Sequence, residues 1–306
     1  MRGSDSHAQA ETVEVVNREG TSPVLLLCEH ASSNIPVRYD GLGLRDEDLL
    51  SHAAWDPGAR AVALHMSQAL NAPLVASTVS RLVYDCNRPP EAASAMPEKS
   101  ELVEVPGNKD LTAAQRQERA DTVYAPFCSA VSELIKARKD AGLQSVLVTM
   151  HSFTPVYYGE ARTVEIGILH DADSRLADAM LAAAPALPHR RVERNEPYGP
   201  ADGVTHSLKI HGLAHGLANV MIEIRNDLVS DPAGVARFTD ILSTMLTKAL
   251  ATQEALFPTL FQSLLKTILP LTEPLIEDLV RLRRESYGRI NGPPHVPPPL
   301  TLQARC

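Results

Sequence analysis

The chain has 306 residues, 44% of them hydrophobic and 22% charged, with a formal net charge of −8. That length suffices for one large domain or two ordinary ones, and the acidic balance argues against non-specific nucleic-acid binding. No apolar run approaches the ~20 residues that span a bilayer, and "MRGSDSHAQAETVEVV" lacks the apolar core of a signal peptide, so a cytoplasmic location with no membrane partner is expected.

Residues 1–20 are polar and expected to be loosely ordered. Val24 to Leu27 form a branched apolar run that fits a buried strand. "SSNIPVRYDGLGLRDEDLLSHAAW" has turn chemistry and reads as a long loop. "DPGARAVALHMSQAL" then opens with Asp56 and Pro57, a cap residue and a first-turn proline, and repeats apolar residues at helical spacing. "PLVASTVS" reads as a second strand. "NKDLTAAQRQERADTVYAPFCSAVSELIKARKDAG" reads as a long helix, bent at Pro126 and stopped at Gly142. "SVLVTMHSF" and "TVEIGILHD" are strands, "ADSRLADAMLAAAP" and "THSLKIHGLAHGLA" helices, "NVMIEIRND" a strand and "DPAGVARFTDILSTMLTKALATQEAL" a capped helix.

This alternation predicts a single α/β domain with a mixed, mainly parallel sheet covered by helices. The expected layout is a flexible segment over 1–20, a catalytic domain over 21–256, and a helical extension with a Pro-rich tail over 257–306. The apolar residues of "LFPTLFQSLLKTIL" either finish the core or mark a contact in a homo-oligomer. Cys28, Cys86, Cys128 and Cys306 have no CxxC spacing and read as free thiols.

In open α/β sheets, sites form beyond the carboxyl ends of the strands. Glu29-His30 and His151-Ser152 fall at such ends, Glu223 and Arg225 lie on a late strand, and "SRLVYDCNR" adds Arg81, Asp85, Asn87 and Arg88. Two histidines and a carboxylate are the usual protein ligands of a hydrolytic zinc. A further glutamate can move the attacking water's proton, and arginines can hold a substrate carboxylate. The inventory suits amide hydrolysis of a small acidic substrate. No HExxH motif is present.

The pieces "CEHASSNIP", "AAWDPGA", "VSRLVYDCNRP", "TMHSFTP", "VEIGILHDAD", "RNEPYG" and "VMIEIRNDL", in that order, resemble the N-formylglutamate amidohydrolase family. The resemblance covers the chain from about Val24 to Val229 and leaves out the C-terminal tail. That family is similar in fold to the zinc carboxypeptidases. The resemblance implies one Zn2+ ion held by His30 and His151, Glu223 as general base, and Asn87 and Arg88 on the substrate carboxylate or carbonyl. One departure stands out: Ser33 occupies the position where the carboxypeptidases carry a glutamate ligand. Asp56 is the expected third ligand, with Glu29 disfavoured because adjacent strand residues point to opposite faces.

Plainer readings stand beside these. Asp56 also reads as an N-cap. Glu223 could pair with Arg225, and Arg81 or Arg88 with Asp85. Arg81, Arg225 and Tyr198 are candidate substrate contacts, though a turn-packing role suits Tyr198 too. His206, His211 and His215 read as solvent-facing or capping residues, Asp171 as an N-cap, and Cys28 and Cys86 as packing. The expected activity is zinc-dependent hydrolysis of a small N-acyl amino acid, N-formylglutamate to formate and glutamate. The alternatives are a carboxypeptidase-like peptidase acting on short peptides and a non-catalytic carboxylate-binding protein.

Overall fold

Strand β2 (Val24–Cys28) is buried at every position, as a strand with both faces covered must be. Its alternate residues serve two cores. Val24, Leu26 and Cys28 join one apolar cluster, while Leu25 and Leu27 join another on the opposite face. The computed structural model describes residues 12–187 and 190–252. Chain contacts divide the protein into units Met1–Ala251 and Thr252–Cys306, and the fold below is that of the first. The expected tail from 257 lies outside the described residues, as does Cys306.

The main sheet has seven strands: β1 (Val13–Val16), β2, β3 (Leu74–Ser77), β4 (Val146–Phe153), β5 (Ile166–Leu169), β6 (Val192–Arg194) and β7 (Asn219–Arg225). Their spatial order is β1-β3-β2-β4-β7-β5-β6. The central four, β3, β2, β4 and β7, run parallel. β1 is antiparallel to β3, and β5 is antiparallel to β7 but parallel to β6. The sheet is thus mixed and mainly parallel, as the strand and helix alternation predicts.

Among the described residues the helices beside it are α1 (Asp46–Leu50), α2 (Ala59–Leu70), α3 (Ala113–Arg119), α4 (Ala125–Asp140), α5 (Arg175–Ala183) and α6, which includes 232–252. Val62, Ala63 and Met66 of α2, Met180 of α5 and Phe238 and Leu242 of α6 cover one face. Phe127, Val131 and Leu134 of α4 cover the other.

Four details depart from the sequence reading. The segment over 1–20 contains strand β1, ordered by pairing with β3 and by the Arg60–Glu14 ion pair at 2.6 Å. The loop before Asp56 contains α1. The long helix expected to bend at Pro126 is interrupted just ahead of it by a π turn, Ala120–Tyr124. The stretch around 208–215 is a π turn followed by a 3-10 turn, not a regular helix.

Two glycines let the site close. Gly58, the residue before α2, has φ 83°, and a Cβ there would sit 2.5 Å from Val229 Cγ2. Gly167 on β5 faces Glu196 O, which an added Cβ would approach to 2.0 Å. Both contacts need a residue without a side chain.

Candidate active site

Sheet register assembles the first part of the site. On β4 and β7, His151 and Glu223 are direct partners across the pair. On β2 and β4, Leu27 partners Thr149. Two residues further on, the same register brings Glu29 level with His151. One row therefore carries Glu223 on β7, His151 on β4 and Glu29, the first residue after β2. His30 follows as the chain turns away from β2, and Asp56 arrives from the loop before α2, with its backbone N–H donating to His30 O at 3.0 Å.

His30 Nδ1, His151 Nδ1 and Asp56 Oδ2 form a nearly equilateral triangle. The edges are 3.1 Å (His30 to Asp56), 3.0 Å (His151 to Asp56) and 3.2 Å (His30 to His151). All three residues are buried. A tetrahedral zinc ion with bonds of about 2.0–2.1 Å separates its donors by about 3.3 Å, so this set fits such an ion. Among the described residues it is the one group of histidine, cysteine and carboxylate donors with that convergence.

The far nitrogen of each histidine meets a carboxylate. His30 Nε2 is 2.7 Å from Asp85 Oδ1, and His151 Nε2 is 3.2 Å from Glu29 Oε2. Arg81 Nη1 lies 3.4 Å from His30 Nδ1, and since a guanidinium only donates, a neutral His30 would turn its lone pair to this side. This is the arrangement in which metal-binding histidines are usually held.

The charge balance points the same way. Burial opposes ionisation of Asp56, Asp85 and Glu29, but neighbouring histidines and arginines hold all three carboxyls below their ordinary values. Burial likewise opposes a charge on His30 and His151, and these carboxylates override it. Asp56, Asp85, Glu29 and an ionised Glu223 against the guanidiniums of Arg81 and Arg88 leave two negative charges when the imidazoles are neutral. A divalent cation would balance them.

Asp56 does not cap α2. Its Oδ2 also accepts from Ser152 N at 3.3 Å, and its Oδ1 accepts from Arg81 Nη1 at 3.2 Å. Arg81 spends its other donors on Ala53 O and His52 O, at 3.1 and 2.7 Å. It holds the ligand loop and leaves Asp56 Oδ2 facing the histidines. His52 Nδ1 lies 3.4 Å from Asp56 Oδ1, and burial with the charge of Arg81 depresses this imidazole to about 3.

Glu223 lines the cavity beside the triangle. Its Oε2 is buried and has no hydrogen-bond partner among the described residues. Burial pushes the carboxyl up to about 7, with the Asp56 charge adding to the rise against the opposing pull of His151. Glu223 does not pair with Arg225, whose Nε donates to Asp227 Oδ1 at 2.8 Å and whose Nη1 donates to Arg162 O at 3.1 Å. Arg225 is not part of the cavity wall.

Asn87 also differs from expectation. It lies at the cavity wall, but its amide N–H donates to Val204 O at 2.6 Å and its oxygen accepts from Ser207 N at 2.9 Å. Both ends tie down the 204–207 loop. Arg88 lines the cavity, with Nη1 on Asn87 O at 2.8 Å and no carboxylate partner among the described residues. Tyr198 is also at the wall, and its oxygen accepts from Arg162 Nη1 at 3.0 Å. The Arg162 guanidinium stacks on Tyr157 and Tyr198, with 4.2 and 4.8 Å to the ring centroids. The cavity holds about 250 Å³, the scale of a small metabolite.

The remaining histidines stand outside the cluster. His206 Nε2 is 2.8 Å from Tyr124 OH, and His211 is buried against Phe127. Asp171 accepts from Ala172 N and Thr205 Oγ1 rather than capping a helix. Burial raises the thiols of Cys28 and Cys86, which suits inert packing.

The family model for N-formylglutamate amidohydrolase matches residues 22–230, a span that includes every residue of this site. The chain belongs to the N-formylglutamate amidohydrolase family. Family membership supports a hydrolase activity. The chain is similar to the gene product Atu2144 of Agrobacterium tumefaciens at 55% identity and a TM-score of 0.79, over 81% of this chain and 98% of that one. It also resembles the N-formylglutamate amidohydrolase of Ralstonia eutropha JMP134, with a TM-score of 0.59 over 80% of this chain and 99% of that one. At 18% identity the second likeness concerns the fold. No curated protein matches the chain.

Proposed function

We propose that this protein is a zinc-dependent amide hydrolase of a small acidic N-acyl amino acid, converting N-formylglutamate to formate and glutamate. The donor triangle of His30, His151 and Asp56, with Glu223 next to it, is the observation that carries this reading. Zinc held there would polarise the amide carbonyl and acidify water. Glu223 accepts the water's proton and delivers it to the leaving nitrogen as the C–N bond breaks. A carboxyl near 7 is suited to both halves of that transfer. Arg88 holds the substrate carboxylate, and Tyr198, whose oxygen already accepts from Arg162, has its O–H left to donate to substrate. Arg81 and Asn87 act on the protein itself, by fixing Asp56 and the 204–207 loop. Arg225 takes no part.

The small cavity favours a single acylated amino acid over a peptide. The buried thiols suit a cytoplasmic protein, and no helix among the described residues is long and apolar enough to cross a membrane.

Metal analysis of protein purified without chelator, followed by assays on N-formyl, N-acetyl and peptide substrates, tests the proposal. The expected result is near-stoichiometric zinc and release of formate from N-formylglutamate. Absence of metal, with no activity when metal is added, would refute it. Zinc with turnover of another amide alone would keep the mechanism and discard the substrate.

A further inference from the structure

Glu29 has no part in the chemistry above, yet it is a carboxylate with a side chain 0% exposed. Its two oxygens have no hydrogen-bond partner among the described residues. Its one close charged neighbour is His151 Nε2, at 3.2 Å. Burying a carboxylate so sparsely supported is costly, so the contact to His151 needs a reason.

The strand pattern supplies the geometry. Leu25 and Leu27 of β2 face the same core as Leu147 of β4. Continuing the alternation one residue past the end of β2, Glu29 falls level with His151 on that same face. The two side chains are therefore neighbours, with Glu29 Oε2 against the Nε2 side of the His151 ring.

Both nitrogens of His151 have close polar neighbours, although Nε2 makes no hydrogen bond of good geometry. Its Nδ1 points at Asp56 Oδ2 and His30 Nδ1, and its Nε2 points at Glu29. A neutral imidazole has one N–H and one lone pair. If Nε2 carries the hydrogen and donates it to Glu29, Nδ1 is left as the ligand atom. The opposite tautomer would aim an N–H into the triangle and set a lone pair against a carboxylate.

We propose that Glu29 is a positioning residue for metal binding: it fixes the tautomer and ring orientation of His151, so that Nδ1 is the donor. This rests on the metal-hydrolase reading of the same site. The two carboxylates are not equivalent. Asp85 Oδ1 also accepts from Asn87 N at 2.8 Å, so it is held in place without His30. Glu29 takes no backbone N–H among the described residues, and besides His151 only the Ser207 hydroxyl helps to hold its charge.

Zinc affinity, measured by chelator competition on the wild type, Glu29→Gln and Glu29→Asp, tests the role without reference to turnover. Loss of such an outer partner typically lowers metal affinity by about 10–100-fold. That loss is expected for Glu29→Gln, with the metal-free variant melting close to the wild type. Glu29→Asp, which keeps the charge but shortens the reach, is expected to fall between. Affinity of Glu29→Gln within about twofold of the wild type would overturn the proposal.

A wild type that binds no zinc would instead overturn the hydrolase reading, and the role of Glu29 with it. Histidine 15N shifts of the zinc-loaded wild type give a test that needs no variant. The expected state is protonated Nε2 and metal-bound Nδ1 at His151, and the reverse assignment would refute the role.

Discussion

The two walls of the cavity are built differently. One is the donor triangle, whose members are at most 4% exposed and are held through several contacts each. Two of its elements come from the ends of central parallel strands. The other wall carries Arg88, Tyr157 and Tyr198, half-buried side chains on connecting segments. In the proposed function, chemistry falls to the wall where strand register sets the spacing, and recognition to the wall where the chain can vary without disturbing the sheet. The walls should therefore fail in different ways.

The sharpest break comes from the triangle. His151→Ala should remove zinc and reduce hydrolysis to background, read by metal analysis beside a formate assay. A variant that kept both would dissolve the distinction between the walls.

Glu223→Gln should separate metal from chemistry, retaining zinc while turnover falls by about 10²–10⁴-fold. Wild-type turnover in this variant would remove Glu223 as base. The same substitution has a stability signature in metal-free protein. The Glu223 carboxyl lies at about 7 in the fold against an ordinary 4.5. Between those values the folded chain holds a proton that the unfolded chain releases. The stabilisation is full below about pH 4.5 and is lost as pH rises through about 7. Melting curves across pH 5 to 8 should thus fall more steeply for wild type than for Glu223→Gln. Parallel curves would contradict the raised carboxyl.

On the recognition wall, Arg88→Ala should raise KM by roughly 10–100-fold, the worth of a lost charged hydrogen bond, with kcat less affected and zinc unchanged. The smallest effect belongs to Arg225→Ala, expected within about twofold of the wild type in kcat/KM. A large loss there would move the substrate site toward the end of β7.

Much of the first wall was legible in the sequence, because strand ends can be read from apolar runs. "VLLLCEH" stops at one histidine of the triangle, "VLVTMHSF" carries the other near its end, and "NVMIEIR" places Glu223 inside a buried strand. Asp56 was legible as a residue but not as a choice between cap and ligand. The structure gives the cap position to Gly58 and turns the carboxylate inward. The second wall was harder to read. Asn87 sits in a motif that suggests a substrate contact, but its amide meets backbone more than a hundred residues away, which local pattern cannot show. Arg162 went unnoticed because it lies outside any strong element, and only the packing of Tyr157 and Tyr198 around it gives it a place. Arg225 did fall on the same strand face as Glu223, but Asp227, two residues along, captured it. The strand at Val13–Val16 was hidden by the polar composition around it.

The position of β7 has a consequence for how the protein is made. It is the final strand of the described chain, yet it lies inside the sheet, between β4 and β5. During synthesis the N-terminal part of a chain emerges first. A ribosome that has released only β1 to β6 has delivered His30, Asp56 and His151, but no Glu223 and no strand to join the two groups of earlier strands. Insertion of β7 completes the sheet and supplies the base in one event. A chain truncated before it would combine the donor triangle with an open strand edge, which invites aggregation.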